Sequence, residues 1–181
     1  MALGRPLAPR LTAQSLALDA ARVPGLGFDR YYLAEKGGRL VGLLAAWDQG
    51  PLRRTAVLRY SGLGHLQRAA FDAAGVLFGT GAALPRPGEV LRSLTLARLA
   101  VEGDAPGVLA ELLAAVSVDH AGAGYHLATL GFTEGDPLLA GLKGSLAQPF
   151  RSRMYLVRPK AAQQPPLPQG TGRPYVELAL I

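Results

Sequence analysis

The sequence predicts a single α/β domain with a mixed sheet flanked by helices, and three observations carry that expectation. Two short apolar runs, Tyr31–Ala34 and Leu40–Trp47, flank the turn Glu35-Lys36-Gly37-Gly38-Arg39, which is the pattern of a β-hairpin. Apolar residues recur at helical spacing over 63–77 and again over 108–116. Between 91 and 157 the predicted elements run strand, helix, strand, helix, strand, the order of a βαβ crossover, so some strands should lie parallel.

A chain of 181 residues has room for one hydrophobic core. Its 49% hydrophobic content is that of a folded domain, and its 18% of charged residues lies below the usual quarter. Glu111, Arg68, Asp72 or a Gly/Pro pair interrupts every stretch that approaches the ~20 apolar residues needed to cross a bilayer. Arg5, Pro6, Pro9 and Arg10 break the region where a signal peptide would carry its apolar segment, so a cytoplasmic protein without membrane contact is expected. The absence of cysteine removes disulfides, thiol nucleophiles and thiolate metal sites together. His65, His120 and His126 fall in separate segments, and no metal site is expected. The net charge of +6 rests almost wholly on arginine, whose planar fork suits phosphate and carboxylate. These arginines are scattered, and no aromatic-plus-basic stripe or helix-turn-helix accompanies them, so nucleic-acid binding ranks last among the functional readings.

Taken in order, residues 1–14 read as an irregular lead-in, and Leu11, Ser15, Leu18 and Arg22 track a short helix that Pro24, Gly25 and Gly27 end. After the hairpin, Thr55–Tyr60 reads as a weaker strand. Leu63, Leu66, Ala70, Ala73, Ala74 and Leu77 form the apolar face of a helix, and a loop with Gly79, Gly81, Pro85, Pro87 and Gly88 follows. Leu91–Val101 is a central strand. Asp104 is expected to cap the next helix, with Pro106 in its first turn and Val108, Leu109, Leu112, Leu113 and Val116 on its buried face. Tyr125–Phe132 is a strand, Asp136-Pro137 repeats the cap-and-proline device before a short helix over 138–143, and Arg151–Val157 is a further strand. A linker rich in Pro, Gln and Gly over 160–174 leads to a last strand over 175–181.

Over roughly residues 15–158 this succession resembles the GNAT acyltransferase family. The segment YYLAEKGGRLVGLLAAWDQ is similar to its second and third strands, LARLAVEGDAPGVLAELLAAV to its fourth strand and cofactor helix, and GYHLATLGFTEGDPLLAGLKG to its fifth strand and the helix after it. The resemblance implies acetyl-CoA or another acyl-CoA as cofactor and a small-molecule or peptide amine as acyl acceptor. It places cofactor contacts at Ala100, Val101, Gly103, Gly107 and Val108, where free N–H groups at a helix start would meet the pyrophosphate. Arg98 joins them on separate grounds: an arginine inside an apolar strand calls for a carboxylate partner or an anionic ligand.

The chain departs from the family at two places. Glu102 and Asp104 put negative charge into the phosphate loop while Pro106 removes a donor, and the helix after the fifth strand lacks the tyrosine that commonly serves as proton donor. Glu134, near the carboxyl end of a strand, is the candidate base, and Tyr155 the candidate hydroxyl. His126 is expected to be packed. Two readings therefore stand: an acyl-CoA-dependent N-acyltransferase, or a noncatalytic module of the same fold that binds a protein partner or another small ligand. The family's opening strand is weak or missing in the roughly thirty residues before Tyr31, and the sheet edge left exposed would favour a homodimer.

Overall fold

The computed structural model of the protein describes residues 5, 8, 9, 11–77, 83–155, 173–175 and 177, with the backbone alone at 74, 76 and 77. Thr12 opens α1 (Ala13–Arg22) with a reciprocal box: its hydroxyl accepts the Ser15 N–H at 3.1 Å, and the Ser15 hydroxyl accepts the Thr12 N–H at 2.9 Å. A 3-10 turn, Phe28–Arg30, feeds β1 (Tyr31–Lys36), and β2 (Arg39–Asp48) returns antiparallel to it. Gly37 and Gly38 turn the hairpin at φ of +57° and +73°, the left-handed backbone that such a loop demands.

The expected strand over 55–60 shrinks to β3 (Thr55–Ala56), paired with β4 (Val90–Leu91) in a separate two-stranded ribbon. Val57 still exchanges backbone bonds with Gly88 and Glu89, but a turn from Arg86 to Glu89 ends the ladder there. Between them runs α2 (Leu63–Leu77). Its periodicity is helical as expected, yet Leu63 and Leu66 are 74% and 68% exposed. The helix is held at the ribbon by polar contacts instead: Asp72 accepts the Leu84 N–H, and Arg68 lies over the Tyr60 ring, whose hydroxyl donates to Pro85.

The main sheet has the order β1, β2, β5 (Ser93–Val101), β6 (Leu127–Leu130). β2 and β5 are antiparallel, β5 and β6 parallel, and α3 (Pro106–His120) makes the crossover between the last two. The chain is thus a single mixed α/β domain with helices against its sheet. Leu109, Leu112 and Val116 of α3 pack on Leu44, Ala46, Leu94 and Leu96, while Leu11 and Leu26 cover Leu43, Ala45, Trp47 and Ala97 on the opposite face. Each fully buried leucine contributes on the order of 2 kcal/mol.

One irregularity in β5 decides the geometry of the site. Leu43 pairs with Ala100 and Ala45 with Ala97, so Leu44 alone stands opposite both Arg98 and Leu99. This is a β-bulge, with Arg98 as the extra residue at φ +55°. It resets the alternation, so that Leu94 and Leu96 before it and Leu99 and Val101 after it all join the α3 core.

After β5 a 3-10 turn, Glu102–Asp104, carries Gly103 at φ +63° and Asp104 at φ +50°. The expectation that Asp104 caps α3 is corrected: the cap position is Ala105, with no side-chain bond, and the Asp104 carboxylate goes to Arg5 at 2.6 Å. A charge-assisted bond to a guanidinium outcompetes one to a neutral N–H. Asp136 does cap as expected, accepting the Leu138 N–H at 3.0 Å, and the helix that follows is the 3-10 segment Pro137–Leu142. That segment lies so close to the start of α3 that a Cβ at Gly141 would stand 2.5 Å from the Pro106 carbonyl oxygen.

The strand expected over 151–157 is absent from its described part: Arg151–Tyr155 pairs with none of the described strands and is exposed. Its strand-forming residues have no partner ladder, and strand propensity acts only through such packing. Residues 156–157, Gly79 and Gly81, and the linker up to 172 lie outside the described residues, as does most of the expected last strand, of which Tyr175 and Glu177 carry no strand assignment. Among the described residues no helix is long and apolar enough to cross a membrane.

Candidate functional site

β5 and β6 run side by side from Ser93 and Leu127 to Leu96 and Leu130, and there their pairing ends. The bulge turns β5 at Arg98, while Gly131, Phe132 and Thr133 lead the other chain segment towards Asp136. Parting of parallel strands opens a crevice at their carboxyl ends, the place where open α/β sheets receive ligands. Leu99 lines one wall, Phe132 and Thr133 the other, Tyr175 lies across it, and Arg5 and Asp136 close one end. The remaining space holds about one water molecule. The Thr133 hydroxyl is buried and has no hydrogen-bond partner among the described residues.

Arg5 grips Asp136 with both terminal nitrogens, at 2.5 and 3.1 Å, and the second of these also donates to Asp104 at 2.6 Å. The Asp136 side chain is 1% exposed. Burial pushes its carboxyl up, but the Arg5 hydrogen bond and the Leu138 N–H outweigh that and hold it below the ordinary carboxylate range. The Asp136 bond in turn raises Arg5 further beyond any accessible pH, against the opposing effect of burial.

Arg98 organises a second cluster. Its Nε donates to Asp19 at 2.8 Å, its backbone N–H donates to Glu177 Oε2 at 2.9 Å, and its Nη1 lies 3.7 Å from the same oxygen. The Tyr175 hydroxyl donates to that oxygen too, at 2.7 Å. Burial and then Glu177 push the Tyr175 hydroxyl strongly up, so it remains protonated. The Tyr31 hydroxyl, raised by burial and then by Asp19, is buried in the same neighbourhood with no hydrogen-bond partner among the described residues.

The start of α3 bears on whether an acyl-CoA fits. Gly103 and Gly107 have open space where a Cβ would stand, and Ala105 makes no side-chain hydrogen bond to the first helical N–H groups. The two carboxylates that would repel phosphate are both taken by arginines: Glu102 by Arg39 at 2.5 and 2.6 Å, Asp104 by Arg5. Pro106 still removes one donor. Backbone access and local charge therefore suit a pyrophosphate at Gly103 and Gly107 better than the bare sequence suggests. Ala100 and Val101 are buried in the β2–β5 ladder, and Val108 packs its side chain against the core, so their side chains offer nothing to such a ligand.

Of the candidate catalytic residues, Glu134 is exposed in the turn that joins Thr133 to Asp136, at the crevice's edge. Tyr155 is 78% exposed on the unpaired segment after Ser145 and contributes nothing to the crevice. The structure therefore brings Arg98 and Glu134 to the same end of the sheet and leaves Tyr155 apart. His126 is half-buried, accepts the Arg92 N–H at 3.0 Å in an exposed bond, and lies outside the packed clusters.

Sequence reasoning missed Arg5, Asp19, Tyr31, Tyr175 and Glu177. Their only signal was that a buried arginine needs a carboxylate. It also missed a polar chain at the opposite end of the sheet, where Tyr32 meets His120 at 3.3 Å, the His120 ring stands edge-on to Tyr125, and Tyr125 donates to Asp48 at 2.7 Å. Burial and then Arg30 lower His120, which favours the neutral ring. No protein-family model matches this sequence, and no curated protein matches it.

Proposed function

We propose that the chain is an acyl-CoA-dependent N-acyltransferase of GNAT type, acting on a small-molecule or peptide amine. The observation that carries this reading is the parting of β5 from β6 beside the Arg98 bulge, with α3 starting directly beyond the carboxyl end of β5. A thioester needs a slot between strands with a backbone donor for its carbonyl, and its pyrophosphate needs a helix start with open glycines. The open glycines Gly103 and Gly107 support the second, and Leu99 in the crevice wall supports the first. When bound, acyl-CoA would supply the activated acyl group. The chain's part is to orient that group, exclude water and accept a proton from the amine, and Glu134 is the carboxylate next to the crevice residue Thr133 that has no ion pair among the described residues. Entry of the acyl chain requires Tyr175 to leave the crevice.

A second reading, a noncatalytic module of the same fold, draws support from Tyr175 and Glu177, which lie where substrate would have to sit. The test is thermal unfolding at fixed salt with acetyl-CoA and free CoA, and with ADP and inorganic phosphate as controls. Ligand at 100 times its dissociation constant adds about 2.7 kcal/mol to the folded state. A shift specific to CoA, with turnover lost in Glu134→Gln, is the expected result. No shift at millimolar ligand leaves the binding module.

A further inference from the structure

Three donors converge on one oxygen at the Arg98 corner: the bulge N–H, the guanidinium and the Tyr175 hydroxyl all address Oε2 of Glu177. The Arg98 and Glu177 side chains are only 13% and 10% exposed, so the charges meet largely out of water. Asp19 holds the guanidinium from its Nε side and leaves Nη1 turned to the carboxylate.

Two features go beyond what a structural ion pair requires. The bulge position is left-handed, where glycine would be unstrained, yet it carries an arginine whose main chain and side chain serve the same oxygen. Close by, the buried Tyr31 hydroxyl has no partner among the described residues, Glu177 included. Glu177 itself carries no strand assignment, whereas the receiving groups Arg98 and Tyr31 sit on strands of the main sheet.

We propose that Arg98, Tyr31 and Tyr175 form a carboxylate-binding subsite, filled in this conformation by the chain's own Glu177, which a small carboxylate ligand with a further acceptor atom displaces. This rests on the reading of the crevice as a ligand site and deepens it, because the molecule processed there then carries a carboxylate. An internal occupant competes at an effective concentration on the order of millimolar, so wild-type affinity for a free carboxylate is masked.

The probe is glutarate, titrated calorimetrically at constant ionic strength into the full chain, with the neutral diamide glutaramide as control. Glu177→Gln is expected to bind glutarate at least tenfold more tightly than wild type and to ignore glutaramide. Glu177→Gln combined with Arg98→Gly, which keeps the bulge and deletes the guanidinium, is expected to lose that gain. Should Glu177→Gln fail to fold, Glu177→Asp carries the same test, because its shortened carboxylate reaches the corner less well. Equal glutarate affinity in wild type and variant, equal response to glutaramide, or a gain that survives loss of the guanidinium would each overturn the subsite. Acetyl-CoA titrated into the same proteins separates the two ideas. Glutarate binding without an acetyl-CoA response keeps the subsite and removes acyl transfer, and the converse result removes the subsite alone.

Discussion

Arg5 and Arg98 each bridge two carboxylates at the same end of the sheet, and they do so in opposite ways. Arg5 reaches in from the lead-in and grips Asp136 with both fork nitrogens, while the Asp136 carboxylate also caps a 3-10 helix. Arg98 sits within the sheet itself, at a left-handed bulge, and uses its main chain as well as its side chain. The first arrangement looks like a fastening, because both oxygens of Asp136 are bonded, although Asp104 beside it also holds a left-handed φ of +50°. The second holds its carboxylate at the cost of a disfavoured backbone and leaves a neighbouring hydroxyl idle. What sets the second corner apart is that the main chain and side chain of one residue serve a single oxygen, with the Tyr175 hydroxyl as a third donor.

The comparison breaks most readily at Asp136. Asp136→Ala removes both the buried pair and the cap, and chemical denaturation is expected to show a loss of about 3–5 kcal/mol. At the bulge charge and backbone shape both count: Arg98→Gly relieves the strain but leaves Asp19 and Glu177 without their cation and is expected to cost about 2–4 kcal/mol, and Arg98→Val, β-branched at φ +55°, should cost about 2 kcal/mol more. Acid sharpens the contrast further. The Asp136 value in the fold lies below the ordinary 3.8, so its contribution is complete above that pH and disappears as the pH falls through the lower folded value. Asp136→Asn, which can keep the cap, should flatten this acid limb in pH-dependent denaturation. The smallest effect is expected at the exposed pair beside α3: Glu102→Gln should change stability by less than about 0.5 kcal/mol, because Arg39 and Glu102 are 71% and 50% exposed.

The sheet was legible where a local rule governs the outcome. The apolar run Leu40–Trp47 and the two glycines before it predict the hairpin, and Leu109, Leu112 and Val116 predict the packed face of α3. Legibility ends where an outcome depends on a distant partner. Asp104 has the right residue type for a cap, but Arg5, 99 residues away, takes its carboxylate. Leu63 and Leu66 have helical spacing, which specifies a helix and says nothing about what will cover it. Arg151–Tyr155 has in Tyr155 its single strong strand former and no neighbouring ladder among the described strands. Of the candidate site, the need of Arg98 for an anion was readable from its apolar neighbours. The bulge that aims it was not, because the sequence signal for a left-handed bulge is a glycine and none is there.

The span of the two arginine clusters has a consequence for rates. Arg5 joins Asp136 across 131 residues, and Arg98 joins Asp19 and Glu177 across 79 residues on either side. Loops of that size close only after the sheet they close upon exists, so these contacts form behind the folding barrier. Loosening them leaves the speed of folding nearly untouched and accelerates unfolding. The lifetime of the native molecule against heat or a protease is therefore governed at the ends of the chain, far from the leucines that make its core.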